Sequence, residues 1–122
     1  MPFRLKKNHE FARVFRQGKR RPGKYLNLHY RKNGLPHNRV GYTTLKHYGT
    51  AVERNRMRRL LREAYRTLDP RLSSGYDIIL MGVRKGPYLN YQLVLSDMEK
   101  VFRKEKILKE SETEAKREKT AD

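Results

Sequence analysis

Apolar residues recur every three or four positions between Gly49 and Leu68, and this spacing predicts one long amphipathic helix. Thr50 and Glu53 have the spacing of a capping box, in which each side chain accepts a hydrogen bond from a free backbone N–H. Pro70 marks the end, because proline has no N–H to continue the helix. The predicted buried face consists of Met57, Leu60, Leu61, Ala64, Tyr65 and Leu68.

Two shorter helices are predicted on either side of this long one. Asn8 can cap a helix that runs to about Gln17, since Phe11, Val14 and Phe15 form an apolar stripe there. A last helix begins at Asn90 or Tyr91, and its apolar positions also follow helical spacing.

Alternating and continuous apolar patterns predict the strands. Residues 25–31 and 39–45 alternate, as half-buried strands do, and the apolar run 76–83 predicts an inner strand. The basic segment 19–24 predicts a turn region with room for one short edge strand. The resulting order of elements indicates an α+β fold in which helices pack on a small sheet.

Composition narrows the class of protein. The 122 residues carry a formal net charge of +17, which favours a nucleic-acid partner over an anionic membrane surface. No run of about 18 apolar residues predicts a membrane span, and the N-terminus lacks a signal-peptide pattern, so we expect a cytoplasmic protein. With no cysteine and four scattered histidines, neither a disulfide nor a zinc site is predicted.

The composition changes near the C-terminus. From Glu105 onward the chain is rich in both charges and poor in apolar residues. We therefore predict a single RNA-binding domain over residues 1–104 and a frayed or disordered tail over residues 105–122.

Arginines crowd the polar side of the long helix. Like charges four residues apart cost roughly 0.2–0.5 kcal/mol each, and a merely solvated face normally mixes both signs. Arginine carries a planar fork of donors that matches phosphate. A solvated face is the alternative, but the pattern favours a fixed polyanion bound at Arg54, Asn55, Arg56, Arg58, Arg59, Arg62 and Arg66.

A second candidate surface combines rings with polar strand residues. On the strand 25–31, Leu26, Leu28 and Tyr30 share one face, whereas Asn27 and His29 lie on the other with Tyr25. Such a polar face suits unpaired bases, which stack on rings and accept side-chain hydrogen bonds. Two alternatives stay open from the residues alone: an ordinary exposed sheet face, and Phe rings that serve only the core.

Three stretches of the chain together resemble the protein subunit of bacterial ribonuclease P. They are R-V-G at 39–41, G-T-A-V-x-R-N-R-M-R-R-L-L-R-E at 49–63 and the apolar strand that follows. The resemblance implies a two-layer α/β sandwich with element order αβββαβα. It further implies three helices, a four-stranded sheet and a left-handed βαβ crossover through the long helix. The R-N-R core is specific at this length.

The resemblance also implies a function and the residues that perform it. Family members bind a catalytic RNA, and the complex removes the 5′ leader of precursor tRNA with Mg²⁺ held mainly by the RNA. No membrane and no protein partner are implied. The implied contacts with the catalytic RNA are Arg54, Asn55, Arg56, Arg58, Arg59, Arg62 and Lys46. The implied leader cleft is formed by Phe11, Phe15, Asn27, His29 and Thr43. His47 stands where relatives often carry a basic residue.

No nuclease site is predicted from the residues themselves. Asp69, Asp77, Asp97 and Glu99 are dispersed, and neither a carboxylate pair nor a histidine dyad has useful spacing. We therefore expect an accessory subunit of a tRNA 5′-maturation endoribonuclease, with no catalytic or metal-binding residue of its own. The alternatives are a ribosomal or other non-catalytic structural RNA-binding protein and, less favoured, a DNA-binding module.

Overall fold

The computed structural model describes residues 2–86 and 88–109, which form five strands and three α-helices around one sheet. In chain order these are β1 (Phe3–Arg4), α1 (Asn8–Gln17), β2 (Lys19–Pro22), β3 (Leu26–Lys32), β4 (Arg39–Thr44), α2 (Ala51–Leu68), β5 (Tyr76–Gly82) and α3 (Tyr91–Lys104). A short 3₁₀ turn, Asp69–Arg71, follows α2.

The strand order in the sheet is β1-β4-β5-β3-β2. The apolar strand β5 is the inner strand, as predicted, and is antiparallel to β3 and parallel to β4. The parallel pair β4 and β5 is joined through α2. The left-handed sense that the resemblance implies for this crossover stays a prediction.

The prediction of four strands is wrong, because the sheet has a fifth. Phe3 and Arg4 pair in parallel with Arg39 and Val40 at the outer side of β4. Two residues are too few to leave an alternating pattern, so pairing with β4, not local sequence, makes them a strand. The basic segment near residue 20 does form an edge strand, β2, antiparallel to β3.

The sheet separates two apolar layers. The larger lies between the sheet and the pair α2 and α3, where Leu28, Leu61, Leu80 and Phe102 are fully buried. A smaller cluster on the other face holds Leu5, Val14 and Ile79 beneath α1. The alternation predicted for β3 is confirmed, since Leu26, Leu28 and Tyr30 are buried while Asn27 and His29 are only half-buried.

The start of α2 is a reciprocal capping box, as predicted. The Glu53 N–H donates to Thr50 Oγ1 at 3.2 Å, and the Thr50 N–H donates to Glu53 Oε1 at 3.0 Å. Helix α1 begins differently from the prediction, because Lys7 and not Asn8 is its cap residue. Glu10 explains this start, since its Oε1 accepts the backbone N–H groups of Lys6 and Lys7, both at 2.9 Å.

The folded domain continues beyond Lys104, the end that the sequence suggested. Ile107 and Leu108 are buried, and Leu72 pairs with Leu108 in an antiparallel bridge. Glu105 is held at the surface of β2, where it accepts the Arg21 Nε–H at 2.6 Å. The predicted boundary of the tail is therefore wrong, because residues 105–109 belong to the folded domain. Residues 110–122 lie outside the described part of the chain.

Candidate nucleic-acid interface

The arginines of α2 lack charge partners. Arg56, Arg59 and Arg66 are exposed, and Arg54 and Arg58 are half-buried. Within residues 2–86 and 88–109, no arginine of α2 forms an ion pair with a carboxylate. The cationic side of α2 is therefore uncompensated inside the fold.

Arg56 and Arg62 make contacts within the fold, although the sequence predicted that both belong to a free cationic face. Arg56 Nη2 donates to the Leu89 carbonyl at 2.7 Å, which ties α2 to the loop before α3. The Arg62 guanidinium lies 5.6 Å from the centroid of the Tyr42 ring, and its Nε is buried. Arg62 thus stands at the border between α2 and the sheet, whereas Arg59 points to solvent.

Lys46 and His47 lie in the turn between β4 and α2, and both are exposed. The Tyr48 N–H closes this turn by donating to the Leu45 carbonyl at 3.0 Å. The turn leads directly into the first residues of α2, where free N–H groups and the helix dipole favour anions. Lys46 is therefore an exposed cation in the turn that precedes Arg54 and Asn55 of α2.

Helix α1 packs on the opposite face of the sheet, against β3 and β5, at the place of the leader cleft that the resemblance implies. The ring of Phe11 packs over Gly41 of β4. Farther along the helix, the Phe15 ring meets His29 edge-on, with centroids 4.8 Å apart and an interplanar angle of 71°. Phe15 remains 42% exposed, so its ring is not merely part of the core.

Beside α1 lies a row of half-buried residues from three strands, which would form the floor of the implied cleft. Met81 of β5 lies between Asn27 of β3 and Thr43 of β4 in the strand register. The structure thus brings Asn27 and Thr43 to the same face as Phe11 and Phe15. Met81 was not predicted for this site, because only the pairing of β5 with both neighbours reveals its position.

Arg20 is a second residue of the cleft that sequence reasoning missed. It pairs with His29 across β2 and β3, so both side chains project from the same face. Burial first, and then the charge of Arg20, lower the pKa of His29. His29 is therefore a neutral imidazole at neutral pH, able to stack and to exchange hydrogen bonds with bases.

Comparison with known proteins decides the family. The family model described as Ribonuclease P matches residues 2–106. The chain belongs to the ribonuclease P protein family. A ribonuclease P protein component from Natranaerobius thermophilus is 40% identical over 107 residues, covering 88% of this chain and 93% of the relative. One from Caldanaerobacter subterraneus subsp. tengcongensis is 36% identical over 109 residues, covering 89% and 94%.

Solved structures share the fold. The ribonuclease P protein from Thermotoga maritima superimposes with a TM-score of 0.74 at 25% identity, covering 83% of this chain and 96% of that one. The Staphylococcus aureus protein gives a TM-score of 0.76 at 24% identity, covering 88% and 99%. The recognition of the family from its R-V-G and R-N-R motifs is thereby confirmed.

The R-V-G motif of this ribonuclease P family member has a structural role. Arg39 binds the buried carboxylate of Asp77 through two hydrogen bonds, Nε to Oδ1 at 2.8 Å and Nη2 to Oδ2 at 2.7 Å. Its Nη1 also donates to Glu10 of α1 at 2.6 Å. Arg39 therefore joins α1 to the sheet, and Gly41 leaves room for Phe11. The motif shapes the cleft.

The two buried carboxylates of the described residues, Asp77 and Asp97, are occupied by structural contacts. Asp97 of α3 accepts the backbone N–H groups of Lys24 and Tyr25 at 3.0 and 2.8 Å. Among the residues described, no group of three His, Cys, Asp or Glu side chains is placed to hold a metal ion. No described helix is long and apolar enough to cross a membrane.

Proposed function

We propose that this chain is the protein component of a ribonuclease P ribonucleoprotein and binds two RNA segments on two surfaces. The side of α2 binds the catalytic RNA, and the cleft beside α1 binds the 5′ leader of precursor tRNA. One observation carries this proposal: an arginine-rich helix without ion-pair partners among the described residues lies on one face of the sheet, and the partly exposed Phe15 ring meets His29 on the other.

The contact with the catalytic RNA is chiefly with phosphates. The guanidinium groups of Arg54, Arg58 and Arg59 form no ion pair among the described residues, although Arg58 Nη2 donates to Asn55 Oδ1. Their geometry matches that of phosphate oxygens, and bound phosphates would relieve the repulsion along the helix. Neutralising phosphates releases counterions, so affinity falls with salt, with a slope of about 0.7–0.9 for each contact. Lys46 extends this surface to the turn before α2, where the helix N-terminus adds attraction.

The cleft holds unpaired nucleotides by stacking more than by base-specific hydrogen bonds. Phe15 and His29 supply rings at its rim, and every base has a face that can stack on them. Asn27 and Thr43 offer hydrogen-bonding groups along the floor, next to the apolar Met81. Such a surface accepts single-stranded leaders of varied sequence but not a base-paired segment, because paired bases do not expose their faces.

Catalysis belongs to the RNA partner in this proposal, with Mg²⁺ supplying activated water and charge stabilisation there. The two buried carboxylates of the described chain, Asp77 and Asp97, do not fit a magnesium site. Asp77 is buried against Arg39, and Asp97 is occupied by backbone N–H groups. The residues of this chain therefore bind, orient and neutralise charge, and no step of the reaction is assigned to them.

The decisive experiment is a precursor-tRNA cleavage assay at low Mg²⁺, with and without a cognate catalytic RNA. We expect cleavage only when RNA and protein are both present, and no cleavage by the protein alone. Cleavage by the protein alone, lost when Asp69 or Glu99 is changed, would contradict the proposal.

A second measurement separates the proposal from a general RNA-binding role. Affinity for leader-bearing and mature tRNA is compared in the reconstituted complex, and we expect the protein to strengthen only the former. Equal affinities would favour a ribosomal or other structural RNA-binding protein. Competition by duplex DNA at physiological salt would favour the DNA-binding alternative.

A further inference from the structure

Two arginines lie over one tyrosine ring, and a third lines the same small cavity. The guanidinium carbons of Arg62 and Arg4 lie 5.6 and 5.8 Å from the centroid of the Tyr42 ring. Arg66, one helical turn beyond Arg62, lines the same small cavity of about 80 Å³, together with Pro2. Side chains from β1, β4 and α2 thus converge on one point of the surface.

The charge of this cluster is not compensated by the chain. No carboxylate in the described part of the protein forms an ion pair with Arg4, Arg62 or Arg66. The Nε of Arg62 is buried without a hydrogen-bond acceptor. Asp69 borders a neighbouring cavity with Arg66 but makes no ion pair with it. A bound anion would therefore supply both the counter-charge and the acceptors that these guanidinium groups lack.

Tyr42 holds two of the guanidinium groups in place. Its ring attracts cations through the negative charge on the faces of the π-system, and the guanidinium groups of Arg4 and Arg62 each lie within 6 Å of its centroid. Burial raises the pKa of Tyr42 to about 12. The hydroxyl is thus protonated at neutral pH and can donate to an anion. A phosphate oxygen is an acceptor that suits both the forked arginines and this hydroxyl.

We propose that Arg4, Arg62 and Arg66 form, around Tyr42, a site for one backbone phosphate of the RNA partner. The identity of the partner rests on the proposed function. The site extends the RNA interface from α2 to β1, a strand that the arginine pattern of α2 does not predict. Arg4 is the informative residue, because it lies outside the R-N-R motif and is exposed.

The anion site can be tested without any RNA. Inorganic phosphate is titrated into the full-length protein while the NMR signal of the Arg62 Nε–H is followed. We expect a saturable shift, with affinity several-fold weaker in Arg4→Gln and unchanged in Lys100→Gln. Lys100 is an exposed residue of α3 and serves as the matched loss of one charge. No shift, or equal weakening in both variants, would overturn the site.

A salt titration of binding to the catalytic RNA then tests the occupant. Arg4→Gln should lower the log–log slope by about 0.7–0.9, the value for one phosphate contact, while Lys100→Gln keeps the wild-type slope. Equal slopes for the two variants would overturn the RNA phosphate as occupant, even if inorganic phosphate binds. Wild-type protein that binds no catalytic RNA would refute the proposed function, whereas the phosphate titration decides the anion site independently.

Discussion

The ring of Phe11 lies so close to Gly41 that a Cβ atom at position 41 would be 2.5 Å from two of its ring carbons. This contact fixes how closely α1 approaches β4 and therefore the width of the cleft. A larger residue at position 41 must displace the Phe11 ring, because carbon atoms do not approach to that distance.

Gly41→Ala is therefore expected to reshape the cleft with limited loss of stability. The displaced Phe11 ring should weaken binding of leader-bearing tRNA, measured in the reconstituted complex, while mature tRNA binds as before. Gly86→Ala is the control, since a Cβ there meets no atom within 4 Å. Unchanged affinity for leader-bearing tRNA in a folded Gly41→Ala variant would show that Phe11 does not border the leader.

Phe15→Leu tests stacking at the rim of the cleft. Loss of the ring should remove about 1–3 kcal/mol of affinity for leader-bearing tRNA and leave mature tRNA unaffected. Phe3→Leu is a matched control, because Phe3 is also an exposed ring in contact with a histidine, His37, but lies on β1. Equal weakening of leader-bearing and mature tRNA by Phe15→Leu would indicate a core role only.

Arg39→Met should destabilise the fold strongly. It leaves the Asp77 carboxylate buried without its partner, and breaking such a pair costs about 3–5 kcal/mol. Arg31→Met is the control, since Arg31 is the neighbour of Asp77 on β3 but forms no ion pair among the described residues. Chemical denaturation measures the free energy of unfolding of both variants. Similar losses of stability in the two would show that the Arg39–Asp77 ion pair contributes little.

Lys106→Gly should stabilise the protein. Lys106 has φ of 61°, a left-handed conformation at the end of α3, where its N–H donates to the Arg103 carbonyl. Glycine adopts this conformation without a steric cost, so we expect a gain of about 0.5–1 kcal/mol. Lys104→Gly, inside the last turn of α3, should instead destabilise by a similar amount. Thermal unfolding of both variants checks the sign, and a loss in Lys106→Gly would contradict the argument.

His29 should make stability depend on pH in a defined direction. Its pKa in the folded protein lies below the ordinary value of 6.5, so the unfolded chain binds the proton more tightly. Stability from this residue is complete above pH 6.5 and falls as the pH drops through the lowered folded-state pKa. Wild type should thus lose stability relative to His29→Asn on acidification, measured by urea unfolding. A stability difference between wild type and His29→Asn that does not change with pH would contradict this prediction.

Local signals in the sequence were enough to predict the three helices and the strands β3, β4 and β5. Helix α2 could be placed because the spacing of Met57, Leu61 and Leu68 and the capping box of Thr50 are properties of neighbouring residues. The alternation of apolar and polar residues likewise predicted that Leu28 and His29 lie on opposite faces of β3. Both follow from backbone geometry, which fixes the direction of each side chain once the element type is known.

Long-range pairing decided the rest. Met81 and Arg20 join the cleft only because β5 and β2 pair with particular neighbours, and Phe3 becomes part of a strand only beside β4. Residues 105–109 have the composition of a charged tail. Ile107 and Leu108 are nevertheless buried, because α3 ends where they can pack against the core. These outcomes depend on which distant segments of the chain pack together. The free energy of that packing depends on several segments at once and cannot be inferred from any short stretch of sequence.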